Sequence, residues 1–134
     1  MKRFFAILAV VVAMPLAAIG QAADAIEDVI GDQLAAFNDR DVPRAFSHAS
    51  PMIKRLFGNP GNFGTMVERG YPMVWDNREI RFLERAEIEG QFFQKVLLRG
   101  PQGNLHVIMY KMIETPTGWQ IDGVELLEAP DVGV

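Results

Sequence analysis

Residues 37–75 read FNDRDVPRAFSHASPMIKRLFGNPGNFGTMVERGYPMVW. The stretch is punctuated by prolines that follow a polar or turn-forming residue: Asp41 before Pro43, Ser50 before Pro51, Asn59-Pro60-Gly61, and Tyr71-Pro72. A side-chain oxygen at a helix start accepts one of the backbone N–H groups that the first turn leaves unpaired, and a proline in that turn has no N–H to leave unpaired. The pattern therefore predicts three short helices. One is capped by Asp41 and has Val42, Ala45, Phe46 and Ala49 as its apolar side. A second is capped by Ser50, carries Ile53, Leu56 and Phe57, and stops at Gly58. The third is capped by Asn62, carries Phe63, Met66 and Val67, and closes at Gly70.

Upstream, Ile26, Val29, Ile30, Leu34 and Phe37 recur at three- and four-residue steps, which predicts an amphipathic helix over residues 24–38 with Asp24 as its cap. Downstream, the period changes to alternation. Segments at 73–75, 79–88, 91–99, 105–114 and 118–128 read as strands separated by short polar or glycine-containing turns. Such turns join antiparallel neighbours and are too short for a parallel crossover. Helices first and strands after predict an α+β fold, with the N-terminal helices on one face of a curved antiparallel meander. In the last strand Trp119 and Ile121 hold one phase while Val124 and Leu126 hold the other, so a β-bulge is expected at Asp122-Gly123.

The N-terminus has its own pattern. Met1-Lys2-Arg3 precedes an apolar run over residues 4–19 and then Gly20-Gln21-Ala22-Ala23, the order of a secretory signal peptide. Residues 1–23 are expected to be this leader, cleaved between Gly20 and Ala25, and residues 24–134 to form a single domain. The apolar run is short for a membrane span and contains Pro15, so no lasting membrane anchor is expected, and the mature protein is placed in the periplasm or outside the cell. Zero cysteines exclude disulfides and lipid attachment through a thiol, leaving an ordinary hydrophobic core to stabilise the domain. The formal net charge of −4 becomes −6 without Lys2 and Arg3, which argues against nucleic acid as a partner.

The strings D-x-P-x-A-F-x-H-A-S-P at residues 41–51, Phe57-Gly58, F-x-x-M-V at residues 63–67 and Tyr71-Pro72, with Gln33-Leu34-Ala35-Ala36-Phe37 ahead of them, resemble a bacterial domain-of-unknown-function family, number 4864. With Gly118-Trp119-Gln120-Ile121 added, the chain also resembles the broader nuclear-transport-factor-2-like superfamily. That resemblance implies a cone-shaped fold with a pocket between helices and sheet. The superfamily includes isomerases, dehydratases, ligand binders and interaction modules, so it leaves the activity open.

The chemistry-bearing residues are few. His48 and His106 are the two histidines, and neither belongs to a metal-ligand motif, so neither a metal nor another cofactor is expected. Asp41, Ser47 and His48 are close in sequence, but neighbours on a helix point about 100° apart and do not make a nucleophile–base pair. His48 is instead expected at the edge of the helical layer, bonded to a backbone carbonyl. Gly58, Gly61 and Gly64 read as turn residues rather than a phosphate cradle, because they follow a helix and Pro60 lacks an amide hydrogen.

Glu84 shares its strand phase with Ile80, Phe82, Ala86 and Ile88, so it is either a desolvated general acid or base, or it is turned outward by a bulge to pair with Lys95 or Arg99. Tyr71 and Trp75 are expected at a pocket mouth and Trp119 in the core. His48, Tyr71, Trp75, Glu84 and Trp119 are thus the pocket candidates. The strand at 105–114 is apolar in both phases, and Ile108, Tyr110 and Met112 are the candidates for a homodimer interface through the sheet. The residues favour a non-enzymatic module that binds a small apolar ligand or a partner. The alternative is a small lyase or isomerase using Glu84 or His48 beside the Tyr71 hydroxyl.

Overall fold

A computed structural model describes the backbone of residues 16–127 and the side chains of residues 25–127. The leader expected at residues 1–23 lies largely outside them. Five helices, α1 (Leu16–Asn38), α2 (Val42–Ser47), α3 (Pro51–Phe57), α4 (Pro60–Gly70) and α5 (Pro72–Trp75), precede four strands. The strands β1 (Arg78–Ile88), β2 (Gln91–Arg99), β3 (Leu105–Thr115) and β4 (Gly118–Leu127) form one antiparallel sheet in sequence order. The α+β meander read from the sequence is the observed architecture.

The capping chemistry accounts for the helix starts. Asp41 accepts from the Arg44 amide, Ser50 from the Ile53 amide and Asn59 from the Asn62 amide, each with a proline at the first or second helical position. Four expectations are corrected. The cap of α4 is Asn59 rather than Asn62, because Asn59-Pro60 repeats the device already used at Ser50-Pro51. Residues 73–75 are the end of α5, not a strand, because Pro72 starts a further turn there. Asp24 lies inside α1 rather than at its start, since the alanine-rich residues before it continue the helix. Of the three glycines read as turn residues, only Gly58 is one, at φ 85°; Gly61 and Gly64 are helical, and a Cβ on Gly64 would meet the Val42 side chain at 2.9 Å.

Three register shifts bend the sheet. On β4, Lys111 pairs with Gly123 and Met112 with Ile121, so Asp122 is the extra residue of the expected bulge. On β1 an extra residue falls between Arg78 and Arg81, and another between Phe82 and Arg85. The hairpin turn at Glu89-Gly90 has positive φ at both residues, which matches the twist of the strands it joins.

The core lies between the helices and one sheet face. Ile26, Ile30, Leu34 and Phe37 of α1 pack with Phe63 and Val67 of α4 against Val96, Leu98, Ile108, Tyr110, Met112 and Ile121. Ile108, Tyr110 and Met112 are therefore buried under the helices and are not the surface for a dimer. With both phases of β3 apolar, the pattern held no information about which one faced the helices. Pairing settles it, since Ile108 sits opposite Val96 and Met112 opposite Ile121.

The helical layer is fastened to the sheet at the β4 bulge. Ile121 donates its amide to the His48 carbonyl and accepts from the Ser50 amide, both at 2.8 Å, while the Ser50 hydroxyl donates to Asp122 Oδ1 at 2.7 Å. Ser50 is fully buried and also caps α3. Ser50→Ala removes the cap and the tie to Asp122 together and is expected to lower stability by about 1–2 kcal/mol in urea unfolding. Ser47→Ala, at an exposed hydroxyl bonded within its own helix, is expected to stay within about 0.5 kcal/mol.

Candidate functional site

Between the helical layer and the bent sheet lies a cavity of about 70 Å³. Its deep walls are the buried Gln33 and Phe37 of α1, Ala49, Phe63 and Val67 of α4, Val74 of α5, and Tyr110 and Ile121 of the sheet. Half-buried Ile53, Met66, Tyr71 and Val124 form its more exposed side. The lining is aromatic and aliphatic apart from Gln33 and the two tyrosines, and no charged side chain contributes to it among the described residues.

Phe63 organises one wall. Its ring lies 5.2 Å from Phe46, 5.8 Å from Phe57 and 6.0 Å from Phe37, with tilted, edge-on and stacked geometries respectively. Such pairs add specificity of position to the area they bury. The Gln33 amide nitrogen donates to the Ala45 carbonyl at 3.1 Å, which holds that side chain against α2. Tyr110 is fully buried, and its hydroxyl has no hydrogen-bond partner among the described residues. Burial pushes this hydroxyl above its ordinary pKa, so it keeps its proton.

Of the five pocket candidates, only Tyr71 lines the cavity. Trp75 packs against Phe37 at 6.0 Å, lies under the Arg40 guanidinium at 4.4 Å, and borders a shallow groove with Val42, Gly64 and Glu68 instead. Trp119 packs edge-on against Phe92 at 5.2 Å, half-buried at the margin of the core. Glu84 is turned out of the apolar phase by the second bulge of β1 and takes Lys95 at 2.9 Å, with its side chain 67% exposed. The pairing holds its carboxyl below the usual range, the opposite of what a general acid needs. Glu84 thus faces outward in its pair with Lys95, which removes it as a general acid or base.

His48 has a partner of a different kind from the expected carbonyl. Its Nε2 lies 2.6 Å from Asp32 Oδ2, and Arg44 meets the same carboxylate through Nη2 at 2.8 Å and Nε at 3.1 Å. Asp41 and Ser47 belong to other bonds, the α2 cap and the Arg44 carbonyl, so the three do not form a triad. The Arg44 and His48 bonds hold the Asp32 carboxyl down to about 2 from 3.8. Neither His48 nor Asp32 lines the cavity. The sequence reading missed this cluster because its members are 12 and 16 residues apart on two helices.

A second polar knot, also unread in the sequence, holds the other end of α1. Asn77 is buried, and its side-chain nitrogen donates to the Leu34 and Val74 carbonyls at 2.9 and 2.8 Å. Asn38 both donates to the Asn77 carbonyl and accepts from its amide. Together the two asparagines tie α1 and α5 to the start of β1, which fixes the wall carrying Phe37 and Val74.

Among the described residues no group of three or more His, Cys, Asp or Glu could hold a metal ion, and no helix is long and apolar enough to cross a membrane. The site is thus a cavity of apolar character between short helices and a bent antiparallel sheet. A family model described as "Domain of unknown function (DUF4864)" matches residues 20–134, and the chain belongs to that family. No curated protein and no solved structure matches the chain.

Asp32 makes the structure sensitive to acid. Because its carboxyl titrates lower in the folded protein than its ordinary 3.8, its stabilising contribution is present above about pH 4 and is lost as pH falls through about 2. The group is partly exposed, so solvent screening keeps the contribution modest. Asp32→Asn is expected to lower stability at pH 7 and to flatten the dependence of the urea midpoint on pH between about 4 and 2. An unchanged slope would show that other carboxylates carry the acid response.

Proposed function

We propose that this protein is an exported module that binds a small, mainly apolar molecule in the cavity between its helices and its sheet, without turning that molecule over. The observation that carries the reading is the lining itself: aliphatic and aromatic walls, a few polar atoms, and an exposed side, the composition that ligand pockets share. The residues named for proton transfer are dispersed, with Glu84 paired to Lys95, His48 on Asp32, and Tyr71 alone of the three lining the cavity. The helices-over-bent-sheet architecture supports placing the chain among nuclear-transport-factor-2-like cones, and the apolar leader in the sequence supports export to the periplasm or medium.

A stable homodimer through the outer face of the sheet is a separate part of this reading. Leu105, Met109 and Ile113 on that face are half-buried in the single chain, and their phase is the one a partner would cover.

Ligand-observed NMR with ethylbenzene tests the central claim. Saturable binding is expected for the wild-type protein, and Val124→Trp, which places an indole at the exposed side of the cavity, is expected to weaken it at least about tenfold while the fold is kept. Wild-type protein that binds neither ethylbenzene nor a related small aromatic would end the pocket reading. Native mass spectrometry of protein taken from its own host tests the same claim on the natural ligand, with a bound small molecule as the expected result.

A further inference from the structure

One residue of the cavity lining carries a buried polar atom that has no hydrogen-bond partner among the described residues. Tyr110 stands near the middle of β3, opposite Gln94 on one side and Val124 on the other, so its ring rises from the helix-facing side of the sheet into the space below α1 and α4. The residue is fully buried and its hydroxyl finds no acceptor among the described residues. A buried hydroxyl without a partner forfeits the hydrogen bonds it had in water, which is why such groups are rare in folded proteins. Gln33 also lines the cavity, with its amide nitrogen donated to the Ala45 carbonyl, and it makes no hydrogen bond to Tyr110. A phenylalanine at position 110 would fill nearly the same volume without this cost.

The surroundings restrict what could satisfy the hydroxyl. Among the described residues no lysine, arginine, histidine, aspartate or glutamate lines the cavity, so a carboxylate, phosphate or ammonium group brought there would be desolvated without a counter-charge. A neutral acceptor fits both constraints. The cavity volume of about 70 Å³ is smaller than the ~150 Å³ of an engineered cavity that accommodates benzene, so it takes the polar end of a molecule whose remainder lies along the exposed side formed by Ile53, Met66 and Tyr71.

We propose that the cavity selects uncharged molecules carrying a carbonyl group, as in a ketone, ester or lactone, on an apolar body, and that the Tyr110 hydroxyl donates the hydrogen bond that orients them. This specifies the ligand class for the pocket reading above and rests on it. Burial disfavours the phenolate and raises the hydroxyl above its ordinary pKa, so it keeps its proton at neutral pH. It is thus available as a donor, and no covalent step is involved.

A matched pair of probes, acetophenone and ethylbenzene, separates this inference from the reading beneath it. The two share an aromatic body and differ in the carbonyl. Tyr110→Phe is expected to reduce the preference for acetophenone over ethylbenzene by roughly 2- to 12-fold, the value of one net hydrogen bond. The infrared carbonyl stretch of acetophenone bound to the wild-type protein gives a second measurement that needs no variant. A shift below its frequency in cyclohexane is expected.

A preference that survives Tyr110→Phe, a carbonyl stretch at the cyclohexane value, or benzoate binding as tightly as acetophenone would each overturn the assignment. Ethylbenzene binding with any of those results would leave the pocket reading standing. Absence of binding by both neutral probes would overturn the pocket reading and this assignment together.

Discussion

The structure depends on a single seam, the pairing of the His48–Ser50 corner with the bulged part of β4. A helical layer made of segments as short as α2, α3 and α5 has little stability of its own, since isolated helices of that length do not persist in water. What keeps them together is a fixed point on the sheet. Ile121 supplies both backbone groups of that point, and Asp122, the extra residue of the bulge, supplies the carboxylate that holds the Ser50 hydroxyl. The same serine starts α3, so the bulge of β4 and the start of the next helix meet at one buried hydroxyl. Without the slip at Asp122, Val124 would fall on the opposite face from Tyr110 and leave the lining of the cavity.

The opposite end is held by polar groups too. Asn38 and Asn77 exchange three hydrogen bonds, and Arg40, at φ 60°, reaches the Phe37 and Trp75 carbonyls and the Asp76 carboxylate. Hydrophobic burial supplies the bulk of the stabilisation in such a domain but is indifferent to exact placement. The two polar knots give direction, fixing α1 at its end and the middle of the helical run at the sheet. The cavity lies between them.

How far the sequence could be read follows from which interactions are local. Caps and prolines act within four residues, so the starts of α2 and α3, and the stop at Gly58, were legible. The four long strands were legible from alternation and turns. Asn59 and Asn62 are both good caps, and only the repeated residue-then-proline arrangement distinguishes them. Glu84 shows the limit more sharply. Its strand phase placed it on an apolar face, and one inserted residue between Phe82 and Arg85 reversed that, which alternation cannot detect when Leu83 and Ala86 are apolar on either parity. The face of Ile108, Tyr110 and Met112 was equally hidden, for both phases of β3 are hydrophobic. As for the site, Tyr71 was found because an aromatic beside a proline marks a corner, while Gln33, Phe63 and Tyr110 look like ordinary helix or strand residues until the long-range pairing brings them together.

The two sides of the cavity are not held equally, and this bears on how anything enters. Its floor belongs to β3 and β4, whose residues are fixed by the sheet ladder and the seam at Ile121. Its more exposed wall includes Ile53 on α3, a helix with no fully buried residue and with Met52 and Leu56 exposed. Such a segment is tied down chiefly by its cap at Ser50 and by the contacts of Ile53 and Phe57 with the core. Local opening costs least where few buried contacts are lost, so α3 is the wall that yields first. Met66 beside it is unbranched and adapts its shape at low cost. On the reading proposed above, a floor held by the sheet and a wall that opens at lower cost would let a cavity small in the resting structure admit a larger apolar body.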